Sequence, residues 1–125
     1  MSDIRPNELN HMKNIFPREV VDLQRRAYNA RDIDAYCALY ASDAVLSTVN
    51  DGTEHARGID AVRAYFANRF SSSPNLHYDI KTRMELGNFV VDYEAVTGFG
   101  EGMLEVIAIY EVRDSLIRSL RFIRR

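Results

Sequence analysis

The sequence predicts an α+β domain in which helices come first and a curved antiparallel sheet follows. Two rhythms in the apolar residues predict it. They recur at intervals of three and four in three stretches between residues 17 and 70, and from residue 76 onward they alternate. A chain of 125 residues, 46% hydrophobic and 27% charged, has the length of one domain and the composition to bury one core.

The first helix is PREVVDLQRRAYNA, from Pro17 to Ala30. Pro17 suits a first helical position, where a missing N–H costs nothing. Val20, Leu23, Gln24, Ala27 and Tyr28 share one face, so Gln24 is a polar residue in an apolar stripe. Asp32 can cap a second helix on which Ile33, Tyr36, Cys37 and Tyr40 repeat. AVLSTV at 44–49 is a short strand closed by Asn50-Asp51-Gly52, and a brief strand follows from Thr53 to Arg57. Gly58 then breaks the chain before a third helix bearing Ile59, Val62, Tyr65, Phe66 and Phe70. Ser71-Ser72-Ser73-Pro74-Asn75 ends it as a loop.

In LHYDIKTRMEL, His77, Asp79, Lys81, Arg83 and Glu85 alternate with Leu76, Tyr78, Ile80, Met84 and Leu86, Thr82 being the exception. That pattern predicts a strand with one buried and one wet face. Gly87-Asn88 turns into FVVDYEAVTG, GFGEG turns into MLEVIAIYEV, and Asp114-Ser115 turns into LIRSLRFI. The last three glycines follow a strand but lead into another strand, so they do not form a phosphate-binding loop.

Composition excludes several classes. Sixteen Lys and Arg against eighteen Asp and Glu leave a net charge of −2, which removes the case for nucleic-acid binding. A single cysteine, Cys37, cannot form an intramolecular disulfide, and on its helix face it reads as a packed thiol. His11, His55 and His77 have no metal-ligand spacing, so no metal is expected, and no cofactor. Nothing approaches a membrane span or a signal-peptide core, and the expected address is the cytoplasm. Residues 1–16 read as a flexible arm, with the alternative that Ile4, Leu9, Ile15 and Phe16 dock on the body or on a second subunit.

NARDIDAYCALYASDAV, then RGIDAVRAYFANRF after a short hairpin, then the long strands, resemble the NTF2-like superfamily. The likeness is greatest to its SnoaL-like and ketosteroid isomerase-like members and runs from about Pro17 to Ile123. It implies a single domain over 17–125, folded as a cystatin-like cone. In that cone three N-terminal helices pack in the concavity of a strongly curved, mainly antiparallel sheet around an apolar pocket. Superfamily members run from isomerases to non-catalytic binders, so the fold alone names no reaction.

Registered on NARD and Gly58, the resemblance tests the isomerase mechanism residue by residue. The first tyrosine donor falls on Gln24, the aspartate base on Thr48, the carboxylic-acid donor on Tyr110 and the supporting tyrosine on Phe66. All four differ, and threonine is no base near neutral pH. The epoxide-hydrolase branch uses two aspartates bridged by an arginine inside the cone. Here Asp92, Glu94, Glu105 and Glu111 alternate with Tyr93 and Tyr110, and on that pattern they are expected to point outward.

What remains is a pocket with aromatic walls and a few polar tips. Its expected ligand-binding residues are Gln24, Tyr28, Tyr40, Thr48, Phe66 and Tyr93. Tyr110 is the candidate hydrogen-bond donor to a developing oxyanion. His55 is the candidate proton carrier, because histidine titrates near neutrality; its alternative is a hairpin histidine in solvent. MLEVIAIYEV is apolar on both faces, which predicts a homodimer through the outer sheet face, with Ile107, Ile109 and Ile117 in the contact. Two functions fit: binding of an apolar or mildly polar small molecule in the cone, with weak acid/base chemistry, or a non-catalytic dimerisation or protein-interaction module whose cone is filled.

Overall fold

The computed structural model describes residues 15–125, so most of the expected N-terminal arm lies outside the described residues. Helix α1 spans Pro17–Ala30 and α2 spans Ile33–Cys37, followed by β1, Tyr40–Thr48, and β2, Glu54–Arg57. Helix α3, Ile59–Ser72, leads to four long strands: β3 His77–Leu86, β4 Phe89–Thr97, β5 Met103–Arg113 and β6 Leu116–Arg124. Helices α1 and α3 and strand β2 stand where their spacing predicts, whereas β1 begins four residues before the expected position 44.

Local chemistry explains the helix ends. The Phe16 N–H donates to Oε1 of Glu19, satisfying a donor just before α1. Arg31 closes α1 in the left-handed region at φ 53°, and Asp32 caps α2 by accepting from the Ala35 N–H at 3.1 Å. Helix α2 is shorter than its apolar spacing predicts. The Ile117 N–H donates to the Leu39 carbonyl at 2.8 Å, and Tyr40 pairs with Ile117, so sheet pairing takes Tyr40 into β1.

The six strands form one sheet in the order β2-β1-β6-β5-β4-β3. Every neighbouring pair is antiparallel except β1 and β6, which run parallel. The helices cover the concave face, where Val20, Tyr36, Phe66, Ala108, Ile117 and Leu120 are among the buried residues. Ile117 is fully buried in this core, which corrects its expected place on the outer face; the register shift between Glu111 and Val112 against β6 turns it inward.

A second irregularity matters more. The β3–β4 register shifts between Ile80 and Thr82, at the one break in the alternation of LHYDIKTRMEL. A bulge there puts an extra residue into the strand and reverses which side chains face the core. Tyr78 is buried and Ile80 half-buried, but Met84 and Leu86, expected inside, are exposed. Arg83, expected on the wet face, turns inward and lies opposite Asp92.

Candidate functional site

Strand β4 decides the interior of the cone. Val90, Asp92, Glu94 and Val96 face inward, while Tyr93 is 36% exposed on the outer face. The alternation is as expected, but its sense is opposite. Asp92 is fully buried and Glu94 only 4% exposed, so the expectation that they point outward is overturned, and with it the inward placement of Tyr93. Glu105 and Glu111 do lie on the same face as Ile107 and Ile109, opposite Tyr110.

Each buried acid has a physical reason to be there. Arg83 grips Asp92 with two parallel bonds, Nε to Oδ1 at 2.6 Å and Nη2 to Oδ2 at 2.9 Å. The same guanidinium donates through Nη1 to Oδ1 of Asp22 on α1, at 2.9 Å. Two aspartates bridged by an arginine are therefore present, yet none of the three lines the cavity, and both oxygens of Asp92 are occupied. This group ties α1 to the sheet.

Glu94 is different. It lines a cavity of about 270 Å³ at the centre of the cone. Gln24 and Tyr28 from α1, Tyr36 from α2 and Phe66 from α3 share its wall with Tyr78, Tyr110 and Leu120 from the sheet. Phe99, Met103 and Leu104, all exposed, stand around its mouth with Arg69, Arg124 and Arg125. The cone is not filled.

A chain of hydrogen bonds runs through the buried end. Gln24 Nε2 donates to Tyr36 Oη at 3.1 Å, and Tyr36 and Tyr40 share a proton-bearing contact of 2.7 Å. Tyr78 Oη donates to Gln24 Oε1 at 2.5 Å. Tyr110 Oη lies 3.1 Å from Glu94 Oε2 and 3.5 Å from Gln24 Oε1, so its single proton is directed to the nearer carboxyl oxygen. Gln24 thus holds two phenols, Tyr36 and Tyr78, at once, which is why an amide interrupts the apolar stripe of α1.

Burial sets the protonation states. Loss of water pushes the carboxyl of Glu94 up to about 8; the Asp92 charge adds to this, while the Tyr110 hydrogen bond and the charges of Arg83 and Arg25 oppose it. Burial also pushes the phenols of Tyr36, Tyr40, Tyr78 and Tyr110 up, so they remain donors. Tyr28 is pushed up to about 12 by burial, against the pull of the Arg69 guanidinium. At neutral pH the cone holds an uncharged carboxylic acid among uncharged phenols.

Geometry then places the acid's proton. Oε2 accepts from Tyr110, and no described residue bonds Oε1. No buried side-chain polar atom lacks a partner, so Oε1 keeps access to the cavity. With Oε2 occupied as an acceptor, the proton sits on Oε1 and faces the empty space.

The expected site residues divide. Gln24, Tyr28, Phe66 and Tyr110 come together on the cavity wall. Tyr40 and Thr48 are buried but do not line it; Tyr40 supports Tyr36 from behind. His55 does not line it either. Its Nε2 lies 2.5 Å from Thr48 Oγ1 and 3.4 Å from Nη2 of Arg124, and its ring tilts against Tyr65. Arg57 ties to Glu54 in an exposed ion pair. Sequence reasoning missed Glu94, Tyr36 and Tyr78; the signal for Glu94 was its alternation with Val90 and Val96, which are as apolar as any pair on the strand.

Among the described residues no cluster of histidine, cysteine, aspartate or glutamate could hold a metal ion, and no helix is long and apolar enough to cross a membrane. Cys37 is buried, which pushes its thiol up and makes it a poor nucleophile.

Comparison with known proteins agrees with this architecture. A family model described as the SnoaL-like domain matches residues 20–120. No curated protein matches the chain. Among solved structures, a cystatin-fold protein from Novosphingobium aromaticivorans is 25% identical, with a TM-score of 0.82, covering 89% of this chain and 100% of that one. A putative polyketide cyclase from Sinorhizobium meliloti is 19% identical (TM-score 0.73, 83% and 93% covered), and a putative ketosteroid isomerase from Kribbella flavida is 15% identical (TM-score 0.75, 87% and 77%). At those identities the last two speak for the fold alone.

Proposed function

The chain belongs to the SnoaL-like domain family, and from that premise we propose that its cone binds a small, largely apolar carbonyl compound and polarises the carbonyl oxygen through the protonated carboxyl of Glu94. The observation that carries this reading is a buried carboxyl on the cavity wall, with one oxygen held by Tyr110 and the other open to the cavity. A neutral acid that donates into a dry site lowers the energy of an enol or enolate far more than the same group does in water. Tyr110 is then a positioning residue. It acts through Glu94 by fixing which oxygen bears the proton, rather than by touching the carbonyl itself.

The module reading with a filled cone loses its main support, because the cone has space and that space is lined by an ionisable group. The isomerase-type base is not supplied by Thr48, which faces His55. The function is therefore carbonyl binding and polarisation by an acid donor. The homodimer remains part of the proposal, through the outer face of β5 at Ile107 and Ile109, both half-buried there.

Infrared difference spectroscopy with acetophenone tests the central claim. Bound to the wild type, its carbonyl stretch is expected to move to lower frequency; in Glu94→Leu the shift disappears, and in Tyr110→Phe it weakens and broadens. A bound acetophenone whose carbonyl stretch is the same in wild type and Glu94→Leu would refute the role of Glu94.

A further inference from the structure

The mouth of the cavity carries charge that this chemistry leaves unused. Three arginines line it, and Arg125 reaches Glu105 at 3.5 Å. Glu105 is also held by Lys81 at 3.4 Å and by the Tyr93 hydroxyl, so its charge is already met. Arg69 and Arg124 have no carboxylate within ion-pair distance among the described residues. Both are half-buried.

Their contacts are with hydroxyls, aromatic rings and an imidazole. Arg69, from α3, donates through Nη2 to Tyr65 Oη at 3.0 Å, and its guanidinium lies 4.5 Å from the Phe99 ring centre and 5.2 Å from that of Tyr65. Arg124, from β6, has Nη2 3.4 Å from both Thr48 Oγ1 and His55 Nε2, with its guanidinium 5.8 Å from the Phe122 ring centre. A guanidinium has five donors, and these partners take one or two of them. Rings and hydroxyls hold each fork in place, so little freedom remains to be lost on meeting an anion.

At the other end of the same cavity stands the uncharged Glu94, with Val96, Val106 and Leu120 lining the space. A wholly neutral occupant would leave two partly desolvated cations without a counter-ion, whereas an anionic one supplies it. The anion suited to this mouth is compact and singly charged. Arg69 lies in the last turn of α3, where the helix presents carbonyl oxygens, and phosphate sites are built on the opposite helix end with its free N–H groups.

We propose that the molecule taken by this cavity is an amphiphilic organic acid, its carboxylate held at the mouth by Arg69 and Arg124 and its carbonyl at the Glu94 end. The proposal rests on the carbonyl-binding reading above and adds the charged anchor that fixes which way round the ligand enters. A cationic mouth also raises the local concentration of such acids and speeds their capture at low salt.

Calorimetric titration of the full chain with 7-oxooctanoate and with its methyl ester separates the two readings. The wild type is expected to bind the acid about tenfold or more tightly than the ester, with the advantage shrinking as salt rises. Arg69→Gln and Arg124→Gln are each expected to weaken the acid at least fivefold more than the ester, with circular dichroism unchanged. Equal affinity for acid and ester in the wild type overturns the anionic anchor and leaves the carbonyl reading standing. Binding of neither overturns both. Arginine variants that weaken acid and ester alike also overturn the anchor, because they assign these side chains to packing.

Discussion

Replacing Glu94 by glutamine removes one ionisation and keeps the shape of the side chain. The folded chain holds the Glu94 proton up to about pH 8, whereas an unfolded chain releases it near the ordinary glutamate value of about 4.3. Between those values the folded state binds the proton and the unfolded state does not, so protonation favours folding there. The stabilisation from this group is whole below about pH 4.3 and is lost as the pH rises to about 8. At about 1.4 kcal/mol for each pH unit of separation, the full traverse amounts to about 5 kcal/mol, as much as many small domains have in total. The amide that replaces the carboxyl in the variant does not titrate. Urea unfolding of wild type and Glu94→Gln from pH 5 to 8.5 is therefore expected to show the wild type losing stability relative to the variant, most of it before pH 8. Asp79, held low by Arg25, and Glu105, held low by Tyr93, titrate below this window and are common to both proteins. Two parallel stability curves would refute the buried, protonated Glu94.

The neighbouring pair tests a buried charge. Arg83→Met leaves Asp92 buried without its cation and is expected to cost about 3–5 kcal/mol at pH 7 in the same urea assay; a loss below about 1 kcal/mol would refute the pairing. For assembly, light scattering of the wild type at micromolar concentration is expected to give the mass of two chains, and Ile109→Glu that of one; a wild-type monomer would remove the dimer.

Helical spacing made α1 and α3 readable from sequence because each buries one face, with Val20 and Tyr28 on one and Val62 and Phe70 on the other, although Leu23, expected on the first, is exposed and Val21 is buried. Tyr40 was misread because it also fits the spacing of α2, and the competing interaction comes from Ile117, 77 positions along the chain. The faces of β4 show the limit more sharply. Periodicity gives two sets of residues but not which one is inside, and hydropathy puts Asp92 and Glu94 in water. Their inward turn depends on partners that local pattern does not reveal: Arg83, aimed by a bulge, and Tyr110, whose hydroxyl donates to Glu94. Thr82, the break in an otherwise clean alternation, was the visible trace of that bulge. Gln24 was legible as an anomaly in an apolar stripe, and it proved to organise the polar end of the cavity.

The parallel seam between β1 and β6 has a consequence for how the molecule is made. The early β1–β2 hairpin joins the sheet only through β6, the last of the six strands to leave the ribosome. Until then β3, β4 and β5 can zip together as a meander, while β1 has β2 on one side and an unsatisfied edge on the other. Closure thus waits for the last strand and has a long loop to gather, which slows folding and leaves an unpaired edge exposed meanwhile.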